Sequence, residues 1–349
     1  MFEKQNIYHY LFAFGLVIIA NYVASQYKQK FIEDDMNSEQ ELIRKYLLND
    51  SPLYGITKPK IWIHTKYDIN ARKWKDFMSR NTTDLNQPYI HLTIQSIIDH
   101  CGEDFHVCLI DDETFSKIIP SWEVDIYHMA EPMKSYFREL GMVTLIYLYG
   151  GMTLPDSFLC MQNMKPFYDD GLKNNMPFVC ESINRKMLVS HNNKKLFVPD
   201  TKIMGANKND PVILEFMEYL QKQNSKPDFT SEREFLGDSS QWLINKTNNQ
   251  KMNLMGGETI GIKNIKRKQI LLEDLFEEDD LELTHNCVGI YIPEDELLLR
   301  HKYKWFVYLN KQDILNTNAV IVKYIKKSQS DIAGIYNKNT VIKSKASYL

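Results

Sequence analysis

Residues Leu145 to Met161 read LIYLYGGMTLPDSFLCM. The stretch opens inside a helical pattern that begins at Ala130, in which Met133, Phe137, Leu140, Thr144 and Tyr147 follow one face. From Leu140 onward nearly every residue is apolar, so this helix is expected to be deeply buried. Gly150-Gly151 ends it and turns the chain into a strand at Met152–Leu154. Pro155, Asp156 and Ser157 stand immediately beyond that strand. In open α/β sheets ligands meet the carboxyl ends of the strands, which makes this short polar segment the first candidate site.

The flanking sequence repeats the alternation. Lys60–Thr65 (KIWIHT) reads as a buried strand, and Pro88–His100 as a helix with Ile90, Ile94, Ile97 and Ile98 on one face. His106–Ile110 (HVCLI) reads as a second strand, closed by Asp111-Asp112-Glu113. Further strands are expected at Pro177–Glu181 and Lys202–Met204, with helices at Asp210–Gln223 and Asp238–Asn245. Short apolar runs alternating with helices predict an α/β protein, a mixed sheet flanked by crossover helices.

Composition limits the function classes. Of 349 residues, 44% are apolar and 25% charged, which excludes a largely disordered chain. Forty-two basic and 45 acidic residues leave a formal charge of -3, so no nucleic-acid partner is expected. The cysteines at 101, 108, 160, 180 and 287 form no C-x-x-C pair; buried free thiols are expected, with room for at most an isolated bridge. Glu273–Glu282 holds seven acids in ten residues and reads as a solvated surface. Beyond Arg300, nine lysines face only Asp313 and Asp331, so residues 301–349 are expected to be a basic extension, either flexible or lying on phosphate-rich surfaces.

Ile7–Ser25 (IYHYLFAFGLVIIANYVAS) carries no full charge and is long enough, at about 28 Å as a helix, to cross a hydrocarbon core. A single-pass signal anchor at 7–25 is expected, after a short tail at 1–6; a cleaved signal peptide ending near Ser25 and a buried core helix are the alternatives. Residues 26–57 read as a stalk, with a capping box from Ser38 to Glu41 opening a helix to Leu48. The expected location is therefore a membrane, with a single pass through the N-terminal helix. The sequons Asn81-Thr82-Thr83 and Asn245-Lys246-Thr247 matter only if the body faces a lumen or the outside.

The order KPKIWIHT, SIIDHCGEDFHVCLIDDETF, and a long helix into YLYGG before a strand resembles glycosyltransferases with a sugar-binding DXD region. Within them it is most similar to the capsular polysaccharide synthesis proteins, which include relatives encoded by large DNA viruses. The resemblance covers about Lys58 to Asp169 well and the rest loosely, and implies a GT-A-like, Rossmann-like domain over 58–300. It also implies a nucleotide-sugar donor, a glycan or glycoprotein acceptor, and Mn²⁺ or Mg²⁺ bridging the diphosphate. A hard divalent cation suits paired carboxylates past a strand end and neutralises the leaving diphosphate.

The resemblance assigns Asp111 and Asp112 to the donor nucleoside, His64 to the donor cleft, and His301 with Trp305 (RHKYKWF) to the diphosphate. Read from the residues alone, Asp111 and Asp112 would instead cap the following helical turn, and His64 would be structural. The chain departs from the pattern where L-D-x-D becomes Leu154-Pro155-Asp156-Ser157, leaving Asp156 and Ser157 as the metal candidates. The S-D-x-x-R segment falls on Arg138, Glu139 and Met142, so Glu139 stands for the acid and the arginine is lost. Two functions stay open: sugar transfer, or a catalytically inactive member with a structural or interaction role.

Overall fold

The computed structural model describes residues 58–65, 87–184, 196–225, 238–277 and 280–330. The expected tail, anchor and stalk at 1–57, the sequon at Asn81 and the chain beyond 330 lie outside the described residues. Among those described, no helix is long and apolar enough to cross a membrane.

A six-stranded sheet organises the body. Its strands are β1 (Lys60–His64), β2 (His106–Ile110), β3 (Gly151–Thr153), β5 (Phe178–Ile183), β6 (Phe197–Ala206) and β7 (Asn253–Met255), in the order β2-β1-β3-β6-β5-β7. β4 (Phe158–Cys160) and β8 (Gly289–Tyr291) pair antiparallel in a separate ribbon. β1 runs parallel to both β2 and β3, whereas β6 is antiparallel to its neighbours β3 and β5. The α/β mixed sheet expected from the alternation is therefore present. Ile61, Trp62 and Ile63 of β1 are wholly buried, as befits a central strand covered on both faces.

Helices cover the sheet. α1 (Pro88–Cys101) packs on β4; α2 (Thr114–Ile118) is one short turn after β2; α3 (Met133–Tyr149) packs on α5 (Pro211–Asn224). α4 spans Lys165–Gly171 and α6 Asp238–Asn248. Asp210 caps α5, accepting from the backbone N–H groups of Val212 and Ile213, with Pro211 in the first turn. α3 begins at Met133 rather than Ala130, just after Pro132.

The glycine pair after α3 is required by geometry. Gly150 and Gly151 have φ of 70° and 100°, and a Cβ on Gly151 would lie 2.2 Å from the Lys60 carbonyl oxygen. That close approach seats β3 against β1 and aims residues 154–156 at the carboxyl edge of the sheet.

The C-terminal part is integrated with the body. α7 (Leu272–Glu277), α8 (Glu294–Leu299), α9 (Trp305–Tyr308), α10 (Lys311–Leu315) and a helix over 320–330 follow in sequence. Ile314, Ile321, Val322 and Ile325 are buried with Tyr89 and Leu92 of α1, Leu159 of β4 and Ile290 of β8. Through residue 330, then, the segment read as a basic extension is core. The acidic run is answered by Arg300, just before this segment, which pairs with Glu273 as well as with Glu296 of α8, and by Lys302, 2.6 Å from Glu277. All five cysteines are buried free thiols.

Candidate functional site: a cleft at the carboxyl edge of the sheet

A cleft of about 650 Å³ opens where β1, β3 and β5 end and β6 begins. Its floor is the LPDS segment. Leu154 extends the pairing of β3 by donating its N–H to the Trp62 carbonyl at 3.0 Å, and Phe158 N–H bonds the Pro155 carbonyl at 3.1 Å. That bond closes a β-turn with Asp156 and Ser157 at its centre. The Thr93 hydroxyl of α1 bonds the Asp156 carbonyl and fixes the turn.

The two central residues have different fates. Asp156 is 5% exposed and lines the cleft. Ser157 is fully buried outside that lining, with its hydroxyl unpartnered. Among the described residues no group of three or more His, Cys, Asp or Glu side chains is arranged to hold a metal. With Ser157 withdrawn, the LPDS turn offers the cleft a single carboxylate, fewer oxygen ligands than a divalent cation takes.

One wall joins β1, β2 and α3. Arg138 grips Asp112 with two hydrogen bonds, Nε to Oδ1 at 2.8 Å and Nη2 to Oδ2 at 2.7 Å. His64 Nε2 lies 2.9 Å from the same Oδ1, and its ring stacks on Phe115. Burial by itself would raise the Asp112 carboxyl, but Arg138 and His64 outweigh it and hold the group well below the usual carboxylate range. Asp111 has separate work: its Oδ1 accepts from the N–H and hydroxyl of Thr114, at 2.8 and 2.6 Å, and opens α2.

His64 and Arg138 reach the cleft; Asp111 and Asp112 are outside its lining. Glu139 lines it, accepting from the Thr201 hydroxyl at 2.7 Å, and Met142 stands beside it. His301 and Trp305 are exposed and do not line the cleft; Trp305 meets Phe276 edge-on instead. The structure therefore gathers His64, Glu139 and Asp156 of the expected set, and leaves Asp111, Asp112, Ser157, His301 and Trp305 out of the lining.

The facing wall was not anticipated from the sequence. β6 contributes Asp200, Thr201 and Lys202, and the end of β8 with α8 contributes Tyr291, Glu294, Asp295 and Glu296. Lys202 Nζ donates to the Tyr291 hydroxyl at 3.0 Å, and the ammonium lies 5.2 Å from that ring's centroid. Tyr291, and after it Asp200, raise the Lys202 pKa against the opposing effect of burial. Below the floor, Tyr89 is wholly buried with its hydroxyl unpartnered; burial, then Glu294 and Asp156, push that phenol well above its ordinary pKa.

A sequence signal for this wall exists. GIYIPEDE, Gly289–Glu296, is an apolar strand ending in proline and acids, the same form as GMTLPDS. Among the described residues, six lining positions carry carboxylates (Glu139, Asp156, Asp200, Glu294, Asp295 and Glu296), beside Arg138, Lys202 and the imidazole of His64.

No family model and no curated protein matches the chain. Solved structures with a similar course include mouse xyloside xylosyltransferase 1 in its apo form, at 8% identity and TM-score 0.38, covering 68% of this chain and 98% of that one. Another is the apo glycosyltransferase GlyE of Streptococcus pneumoniae TIGR4, at 8% identity and TM-score 0.35, covering 82% and 64%. A third is the galactosyltransferase LgtC in complex with donor and acceptor sugar analogs, at 8% identity and TM-score 0.36, covering 78% and 95%. Likenesses this loose carry no chemistry to the present cleft, whose residues must speak for themselves.

Proposed function

We propose that the cleft binds a nucleotide-sugar and that the chain is a glycosyltransferase, passing the sugar to a hydroxyl of a glycan or glycoprotein. The observation that carries this reading is the place of Asp156, nearly buried in the turn after β3, on the floor of a 650 Å³ cleft at the carboxyl edge of the sheet. The cleft's size and its mixture of apolar and polar walls suit a nucleoside beside a sugar.

In the reaction proposed, the acceptor oxygen bonds the anomeric carbon while the bond from that carbon to the diphosphate oxygen breaks. The electron pair leaves with the diphosphate, and the hydroxyl proton passes to a base. Glu139 and Asp156, lining carboxylates that fall within the segments of the family resemblance, are proposed to orient sugar hydroxyls. Residues 7–25 are proposed to anchor the chain in a membrane, which would hold the cleft close to membrane-bound glycan acceptors.

Calorimetric titration of the full chain with UDP, GDP and CMP, each with and without Mn²⁺, tests the reading. Saturable binding of at least one nucleotide, weakened about tenfold or more in Asp156→Ala, is expected if the carboxylate orders the donor. Absence of binding by all three, under both conditions, would overturn it. A non-catalytic member is the second reading, favoured by the withdrawal of Ser157 from the cleft; nucleotide binding without any sugar transfer or hydrolysis would support it.

A further inference from the structure

We infer that Lys202, steadied by Tyr291, is the group that meets the diphosphate of the donor, so that donor binding has a component needing no divalent cation. The inference rests on the nucleotide-sugar reading of the cleft. It begins from the LPDS turn, which offers Asp156 but withdraws Ser157, a single carboxylate where a divalent cation takes several oxygen ligands. A diphosphate entering beside the described lining carboxylates is held best where a cation stands at the phosphates.

Among the described residues, two cations line this cleft besides His64, and their situations differ. Arg138 is 8% exposed and spends its guanidinium on both oxygens of Asp112, so its charge is already answered. Lys202 is held by a hydroxyl: Nζ donates to the Tyr291 oxygen, while the carboxylates of Asp200 and Asp295 act on it through space. Its exposed side chain lines the cleft from β6, the sheet neighbour of the strand that leads into the Asp156 turn.

An ammonium has three donors, and Tyr291 takes only one. The remaining two can each reach a phosphate oxygen. Asp200 supports the arrangement from within β6 by accepting the Lys202 backbone N–H at 2.8 Å, which fixes the strand where the side chain departs. When the glycosidic bond breaks, charge builds on the bridging oxygen of the departing diphosphate, and a fixed ammonium stabilises that charge as it forms.

The test is binding of UDP, GDP and inorganic pyrophosphate to the full chain in EDTA, for wild type, Lys202→Met, Lys202→Arg and Tyr291→Phe. Nucleoside diphosphate binding should persist in EDTA and fall about tenfold or more in Lys202→Met, from loss of charge-assisted hydrogen bonds. Lys202→Arg should stay within about threefold of wild type, and Tyr291→Phe should fall between the two. UMP and GMP, lacking the second phosphate, should be much less sensitive to Lys202→Met. Unchanged thermal midpoints in the three variants separate lost binding from lost fold, and Tyr291→Phe, whose binding should fall measurably, keeps the test decisive should the methionine variant unfold.

Binding that appears only with Mn²⁺ and ignores Lys202 would overturn this inference while leaving the nucleotide reading intact. Failure of every nucleotide, with or without Mn²⁺, would overturn both.

Discussion

Asp112 is the residue whose sequence reading and structural role diverge most usefully. Asp111-Asp112 reads as one unit, yet Asp111 caps α2 through Thr114 while Asp112 ties β2 to α3 and β1 through Arg138 and His64. Replacing Asp112 with Asn keeps the volume but leaves Arg138 facing a neutral amide. A loss of about 2 to 3 kcal/mol is expected in urea unfolding at pH 7, less than for a fully enclosed pair because Asp112 keeps some solvent contact. The pH dependence has a defined sign. The folded carboxyl sits below its unfolded pKa, so its stabilisation is complete above about pH 4 and is lost as pH falls toward the folded value. The gap between wild type and Asp112→Asn should therefore narrow in acid; a gap that stays constant from pH 7 to about pH 3 would refute the pairing as its source. None of this is visible in the local sequence, because Arg138 lies 26 residues away and only packing brings it back.

At the scale of elements, legibility follows how local the determinant is. β1, β2 and α1 stand within a residue of their expected bounds, since continuous apolar runs and a 3.6-residue period need no partner to be recognised. The α3–glycine–β3 unit was equally readable, and its glycines are under the tightest constraint. Gly151→Ala would put a Cβ against the Lys60 carbonyl at a φ that L residues rarely adopt. A loss of about 3 kcal/mol or more is expected, read from the thermal or urea midpoint. A change below about 0.5 kcal/mol would mean that β3 does not seat on β1 as described. β6 shows the opposite case. Only Lys202–Met204 was expected, whereas the strand runs from Phe197 to Ala206. Pro199 and the polar run Asp200-Thr201-Lys202 disguise it, because half of this strand faces the cleft instead of a core.

For the whole molecule, the C-terminal third decides whether the cleft exists. The Ser328 hydroxyl donates to the Cys160 carbonyl of β4 at 2.8 Å and so accepts from Nε2 of His100 of α1, 3.0 Å away. Val320, Ile321, Val322 and Ile325 are at most 1% exposed. At roughly 1.5 to 3 kcal/mol for each buried side chain, ending the chain at Leu315 removes about 6 kcal/mol or more, comparable with the net stability of a typical domain. Such a truncation should abolish cooperative unfolding and expose surface that binds a hydrophobic dye. Retention of a full-height transition would show that the body folds without these residues. Charge composition had pointed the other way, since the lysines of this segment are conspicuous and its apolar stripe is not. Lys311, Lys323, Lys326 and Lys327 lie on the outside of helices whose inner faces are apolar.

What the sequence by itself determined is the α/β alternation, the buried central strands, the glycine-bound entry into β3, and Asp156 at that strand's end. Each is encoded within a few residues, by periodicity or by a backbone conformation that only glycine tolerates. Tertiary structure alone decided which polar groups share the cleft. Lys202 and Tyr291 stand 89 residues apart, and Thr201 reaches Glu139 across 62. Local pattern records how much of a side chain is buried, and it says nothing of what the side chain will be buried against. Partners are selected when the strand order β2-β1-β3-β6-β5-β7 closes, and the chemistry of the cleft is settled in that same step.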